Sequence, residues 1–405
     1  MKILVLTSVY PQPEDDKRSG VTPVVHYFAK EWVKSGNDVL VIHNSNKFIF
    51  LLYLLPDFIK QKINSFVGMA IPKLSQSKEL STVSEGVRIK RIPILKIIPR
   101  RDFFQFQIDK QLKKIKYTLL EENFTPDVII GHWETPQIRL VSMLKDHYKC
   151  KSAVVFHGVD YLSKKSYFNR NKRFLDNIDV IGGRSMHISK SIKELLKLSY
   201  DPFVCYSGIP DDYVEKNITK EFKKNFDGEN LIEFLYAGRL IKRKNIDSIL
   251  KALKQVYGDK EYSLNIIGTG DCEVELKDLA NALSIEKKVH FNGLVPREKV
   301  IEYMKKTQCF TMISKDEVFG LVYLEAMAQG CIVIASKDGG FDGIIVDGEN
   351  GFLCEAGNTS ELAKTYIKIN SLSREEKESI SQNAIKTAIS FRDSDVAKRY
   401  LENII

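Results

Sequence analysis

The stretch that most limits what this chain can fold into is Ser314–Leu353, SKDEVFGLVYLEAMAQGCIVIASKDGGFDGIIVDGENGFL. Asp316 and Glu317 precede Gly320, the apolar run Leu321–Ala328 stops at Gly330, and CIVIAS has the β-branched character of a buried parallel strand. The order loop, helix, strand, glycine-rich loop makes a strand–helix–strand unit with its polar groups gathered at one end. Seven residues separate Glu317 from Glu325. With a helix starting near Phe319, the first carboxylate lies in the loop and the second in the helix's second turn, so the two can reach opposite ends of one ligand. The backbone N–H groups of Phe319, Gly320 and Leu321 then stand unpaired at the helix N-terminus, where the dipole suits a phosphate or sugar hydroxyls. On spacing alone, two solvated surface glutamates are the simpler reading.

The segment resembles the donor-binding signature of retaining GT-B glycosyltransferases, in particular the large family four, the group 1 glycosyl transferases. The pattern is a glutamate, seven residues and a second glutamate, here Glu317 and Glu325, with the small-residue helix EAMAQG and a GG loop. The resemblance implies that Glu317 binds hydroxyls of the sugar in a nucleotide-sugar donor and Glu325 its ribose. One departure stands out: where the family has a proline–glutamate pair after the glycines, this chain has Phe341, Asp342 and Gly343.

At 405 residues the chain exceeds what one core covers, and two domains are expected. Six cysteines with no CxxC pair point to a reducing compartment and away from a zinc site. The start MKILVLTS reads as a strand and not as a secretory leader, which gives a cytoplasmic expectation. The net charge of +9 is uneven. Met1–Cys205 carries 33 Lys+Arg against 20 Asp+Glu (+13), and Tyr206–Ile405 carries 28 against 32 (−4). A basic first half suits an anionic partner: an acidic membrane surface, a phosphorylated acceptor or nucleic acid. A solvated charged surface explains it equally simply.

Along the first half, Lys2–Ser8 reads as a strand, followed by a Pro-, Asp- and Gly-bearing loop and a helix over about Pro23–Ser35, an opening that suits a Rossmann-like sheet. The loop has no GxGxxG, so no dinucleotide cofactor is indicated. The resemblance implies that Gly20, with Ser19 and Val21, approaches the donor diphosphate and the acceptor. Phe48–Leu55 is eight apolar residues flanked by Lys47, Lys60 and Lys62, too short to span a bilayer of about 20 residues. It reads either as a core helix or as an apolar surface resting in a membrane interface, with Lys96, Arg100, Arg101, Lys110, Lys113, Lys114 and Lys116 adding basic positions. PDVIIG and SAVVF read as buried strands ending in His132 and His157. By itself a strand-end histidine is a loop residue near a ligand cleft; the resemblance implies that His157 sits near the reacting sugar carbon, and His132 lines the acceptor cleft.

In the second half, IEFLYA ends in Gly238, Arg239 and Leu240, with Lys242, Arg243, Lys244 and Asn245 ahead of an amphipathic helix over Ile246–Tyr257. Arg239 and Lys244 suit a diphosphate, one as a bidentate guanidinium and one as a point charge, while Lys242 and Arg243 read as solvated charge. Gly268-Thr269-Gly270 reads as a tight turn. The resemblance implies nucleobase contacts from the backbone of Gly293, Leu294 and Val295, and a C-terminal helix over 388–405 crossing back to the first domain.

The expected architecture is therefore α/β of GT-B type, two Rossmann-like domains with parallel sheets facing an inter-domain cleft: residues 1–205 binding the acceptor, completed by 388–405, and residues 206–387 binding the donor. The resemblance implies a retaining hexosyl transfer in cell-surface polysaccharide biosynthesis from a UDP- or GDP-sugar to a glycan or lipid-linked acceptor. Arg239, Lys244 and helix amides would stabilise the leaving diphosphate without metal or other cofactor, and His157 and Glu317 would orient the sugar. Two alternatives remain at this stage. A protein binding an anionic ligand or nucleic acid explains the basic half, although no nucleic-acid module is present and none is expected as a partner; a GT-B nucleotide-sugar epimerase shares the fold.

Overall fold

The structure is a computed structural model, and it describes residues 1–13, 22–56, 59–60, 74–98, 101–214, 224–228, 230–317, 319–337, 339–341 and 343–405. The chain divides into two compact units, Met1–Arg184 with Ile188–Cys205 and Ala397–Ile405, and Ser185–His187 with Tyr206–Val396.

In the first unit the apolar runs pair as an eight-stranded sheet. Its order is Phe203–Val204, Val180–Gly183, Lys151–Phe156, Val128–His132, Lys2–Thr7, Asp38–His43, Val87–Arg91 and Leu80–Ser84. The first seven are parallel and only Leu80–Ser84 runs antiparallel. The central strands are buried on both faces, as continuous apolar runs in a helix-covered parallel sheet must be. From Lys2–Thr7 the chain moves outward to Asp38–His43 and later returns to Val128–His132 on the other side. This reversal leaves a crevice at the strands' carboxyl ends, where such sheets bind ligands.

Helix Val24–Lys34 covers one face and buries Phe28 and Trp32. The Trp32 indole N–H donates to the Ala397 carbonyl at 2.9 Å, and Tyr400 packs edge-on against both rings. The last residues thus belong to this core. They do so differently from the single helix expected over 388–405: helix Arg374–Ile389 ends, the chain turns, and a separate helix spans Asp393–Glu402.

The structure decides between the two readings of Phe48–Leu55 and corrects one expectation of the basic surface. Phe48–Leu55 is no core helix: the helix is the single turn Phe50–Tyr53, and although Phe48 is buried, Ile49, Phe50, Leu51 and Leu54 are all more than half exposed. Lys96, expected on the basic surface, is buried, with its ammonium over the Phe103 ring and donating to the Arg101 carbonyl. Burial pulls its pKa down to about 8. Lys62 and Arg100 lie outside the described residues.

In the second unit six parallel strands run in the order Val289–Gly293, Ser263–Ile267, Glu233–Ala237, Cys309–Met312, Ile332–Ser336, Phe352–Cys354. The order reverses between Glu233–Ala237 and Cys309–Met312. Arg239 and Lys244 follow the first of these, and Glu317 follows the second. Helix starts are fixed locally: Asn358 accepts from the Glu361 N–H, and Ser373 with Glu376 forms a reciprocal capping box. Among the described residues no helix is long and apolar enough to cross a membrane.

Candidate functional site

The strongest cluster lies at the reversal point of the second unit. The Lys244 ammonium pairs with the Glu317 carboxylate, both side chains nearly buried, and Met312 Sδ lies 3.6 Å from the same nitrogen. The short helical turn Lys242–Lys244 ends in left-handed Asn245, whose side chain donates to the Ile313 carbonyl. That bond ties the lysine-bearing loop to the strand end that carries the glutamate. Arg243 donates to the carbonyls of Lys315 and Asp316, and its guanidinium stands 3.8 Å from Glu317. Lys242 is exposed, as solvated charge should be. Arg239 is exposed too, and among the described residues its guanidinium has no carboxylate partner.

Helix Leu321–Ala328 begins at Gly320, whose φ of +80° and lack of side chain are both required. A Cβ there would sit 2.5 Å from the Tyr323 ring and 3.3 Å from Glu317 Cγ. Among the described residues the amides of Phe319, Gly320 and Leu321 find no acceptor, which leaves three donors at the positive end of the helix. Glu325, in the second turn, is buried and pairs with Arg297, which stacks over the Tyr213 ring. Both glutamates therefore hold cations already, Glu317 from the Lys242–Lys244 turn and Glu325 from the first residue of helix Arg297–Lys306. Neither is the solvated charge that spacing alone suggested.

The turn Gly268-Thr269-Gly270 has a structural reason. A Cβ on Gly268 would lie 1.9 Å from the Gly238 carbonyl oxygen, and Leu240 N–H donates to the Thr269 carbonyl. Gly268 N–H in turn donates to Gly293, so the three neighbouring strand ends lie backbone against backbone. This packing presents Arg239 on one of them, and Leu294, exposed, and Val295 on another.

At the first unit's strand ends the chemistry is neutral. His132 Nδ1 lies 3.0 Å from His157 Nε2, and His132 Nε2 lies 3.1 Å from the Tyr400 hydroxyl. Trp133 stacks on His157 with ring centroids 3.7 Å apart. Burial pushes the His132 pKa down to about 3 and holds His157 well below its ordinary value, with the nearby Arg184 charge adding to both. Both imidazoles are then uncharged. Protons along Tyr400–His132–His157 can point either way, leaving His157 Nδ1 as donor or acceptor; among the described residues it has no partner. Glu134 accepts N–H groups from Tyr161 and Leu162 at 3.3 and 3.1 Å, which anchors the loop after His157. Its burial raises its pKa to about 7.

Ser19, Gly20 and Val21 lie outside the described residues. Sequence reasoning missed the Arg297 partner of Glu325 and the Tyr400 partner of His132, which is 268 residues away. No local pattern marks either pairing.

Sheet topology and strand-end loops define a GT-B architecture, and the structure superposes on a solved Anabaena protein in complex with UDP with a TM-score of 0.68 at 16% identity, covering 99% of both chains. Residues 217–387 match the family described as "Glycosyl transferases group 1". Over 251 residues the chain is 26% identical to the N-acetyl-alpha-D-glucosaminyl L-malate synthase of Bacillus anthracis, spanning 60% of this chain and 65% of that relative's length. Over 155 residues it is 26% identical to a lipopolysaccharide core biosynthesis glycosyltransferase of Rhizobium meliloti, 38% of this chain and 41% of the relative.

Proposed function

We propose that the chain is a retaining, metal-independent glycosyltransferase that moves a hexose-type sugar from a nucleotide-sugar donor to a glycan or lipid-linked acceptor in cell-surface polysaccharide biosynthesis. The observation that carries the reading is the convergence, at the second unit's reversal point, of Arg239, the Lys244–Glu317 pair and three helix-terminal amides. A nucleoside diphosphate takes the guanidinium and the amides, while Lys244, released in part from Glu317, turns toward the phosphate charge that develops as the anomeric carbon–oxygen bond breaks. Glu317 then accepts from sugar hydroxyls, and Glu325, oriented by Arg297, accepts from the ribose. The acceptor oxygen forms the new bond to the anomeric carbon on the face the diphosphate leaves, and its proton passes to the departing phosphate oxygen. His157 contributes a neutral hydrogen-bonding nitrogen to the sugar, and the backbone of Gly293–Val295 meets the nucleobase. UDP and GDP are the expected bases, in keeping with the UDP complex of the Anabaena protein.

A lipid-linked acceptor is supported by the exposed Ile49, Phe50, Leu51 and Leu54, of which Phe50 lines one cavity together with Lys47 and Lys114. It implies work in the cytoplasm at the inner face of the membrane. Binding to anionic liposomes at low salt is expected, and its absence would remove this clause.

A thermal-shift screen against UDP, GDP, ADP and their common sugars, with and without EDTA, tests the donor site, because a ligand bound only by the folded chain raises its stability. A shift with one nucleotide that EDTA leaves unchanged is expected, followed by acceptor-dependent release of the nucleoside diphosphate. No shift with any nucleotide would overturn the reading.

A further inference from the structure

A second cluster of cations lies in the first unit, in a cavity of about 310 Å³ lined by Arg101, Asp102, Phe103, Gln105, Arg139, Arg170 and Arg173, among others. Four guanidiniums face one carboxylate there. Asp102 is fully used within the fold: it pairs with Arg139 and accepts from the Thr135 hydroxyl at 2.7 Å, the Asn171 amide at 3.2 Å and the Phe103 N–H at 2.8 Å. Arg139 is spent in the same way, donating also to the Phe103 carbonyl and to Gln105. The Asp102–Arg139 pair is thus a buried, neutral floor.

Above it, Arg101, Arg170 and Arg173 are exposed, and among the described residues none has a carboxylate partner. Arg170 and Arg173 stand three residues apart on helix Lys165–Leu175, so they share a face, and Phe174 holds the Arg173 guanidinium over its ring at 4.5 Å. Like charges gathered around one cavity repel, and nothing in the packing requires three arginines there. Forked donors on a neutral floor match the geometry of phosphate oxygens better than that of a single carboxylate. The cavity also lies near the ligand end of the sheet: Thr135, which holds Asp102, is in the loop just past strand Val128–His132.

We infer that this cavity binds a phosphate ester or diphosphate through Arg101, Arg170 and Arg173. On the glycosyltransferase reading, the phosphate belongs to the acceptor, which gives that substrate its chemical class: a phosphorylated sugar in solution or the headgroup of a phospholipid or lipid-linked diphosphate.

Pyrophosphate titrated calorimetrically into the full chain in the presence of UDP is expected to bind. Arg170→Ala/Arg173→Ala should weaken that binding about tenfold or more, with Tm and UDP affinity unchanged because neither arginine is packed in the core. Arg170→Lys/Arg173→Lys, which keeps the charge and loses the fork, should recover part of the affinity. Equal pyrophosphate affinity in the wild type and the alanine variant, or no binding to the wild type, overturns the inference. Failure of UDP to bind counts against the donor site alone, and the pyrophosphate comparison then stands without a competitor. Glucose 1-phosphate and phosphatidylcholine vesicles carrying phosphatidic acid separate the two sources: arginine-dependent binding of either supports the cavity and names its source, and arginine-independence of both overturns it.

Discussion

The two units place opposite chemistry at the same point of related sheets. In the second, Lys244 and Glu317 are nearly buried charges that compensate each other, and Arg297 does the same for Glu325. In the first, desolvation has removed the charge: His132 and His157 are neutral and linked through nitrogen lone pairs to Tyr400. The difference follows from what each carries nearby. Buried Lys244 has a carboxylate within reach, which offsets the cost of keeping its charge away from water. The histidines have only Arg184 as a charged neighbour of consequence, and that penalises protonation further. A site of paired charges suits a ligand that develops charge. A neutral relay suits hydroxyls, which it can meet as donor or acceptor.

The largest effect should come from breaking the charged side. Lys244→Ala leaves Glu317 buried without its main partner, and a loss of about 3 kcal/mol of stability together with nucleotide binding is expected. The pair Lys244→Met/Glu317→Leu should recover stability in a urea titration and leave UDP binding absent. Recovery of both would mean that the pair is structural only.

On the neutral side, His157→Ala should lower transfer by about 100-fold with UDP affinity unchanged, checked by single-turnover kinetics and calorimetry. An equal loss of UDP affinity would move His157 from sugar contact to a part in folding.

The pH dependence of stability sharpens the comparison, because burial in the first unit displaces the pKa values of Glu134, His43 and His132. The native pKa of Glu134, about 7, lies above its ordinary 4.5. Its contribution is present below pH 4.5 and lost as pH rises through 7, a cost on the order of 3 kcal/mol at alkaline pH. Glu134→Gln should flatten that limb. His43, lowered by burial to about 4, works in the other direction. The folded state favours its neutral form, so stability is present above pH 6.5 and falls as pH drops toward 4, with His132 extending the loss toward 3. A maximum of stability between the two limbs, measured by denaturation across pH, is expected; a flat profile would contradict both burials.

The smallest effect belongs to Arg297, whose side chain is about a third exposed. Arg297→Ala should cost about 1 kcal/mol of stability and raise the Kd for UDP several-fold through loss of Glu325 orientation. No change in Kd would separate the two residues functionally.

Much of this was legible in the residues. The helix Leu321–Ala328 and the strand Ile332–Ser336 fall where their periodicity and glycine stops put them, because each is set by neighbours within a few positions. Glu317 and Glu325 were singled out by spacing together with a family resemblance, and Arg239 and Lys244 by their place between a strand and a helix. Between core and surface, the residues of Phe48–Leu55 did not choose. An apolar run records what a segment can bury, and its exposure depends on whether a partner surface is there to cover it. Lys96 shows the converse, a cation buried because Phe103 and a carbonyl happen to meet it.

The sequence by itself therefore determined the elements, the two-part organisation and the residue types at the strand ends, since these follow from local periodicity, turn chemistry and charge. Only the tertiary structure decided the partners: Lys244 with Glu317, Arg297 with Glu325, Tyr400 with His132, and Arg139 with Asp102. Those pairings join residues tens to hundreds of positions apart, and chain order carries no trace of them. They exist because two parallel sheets bring the ends of distant strands side by side, where charges and hydrogen bonds withdrawn from water must be satisfied by whatever the fold has placed within reach.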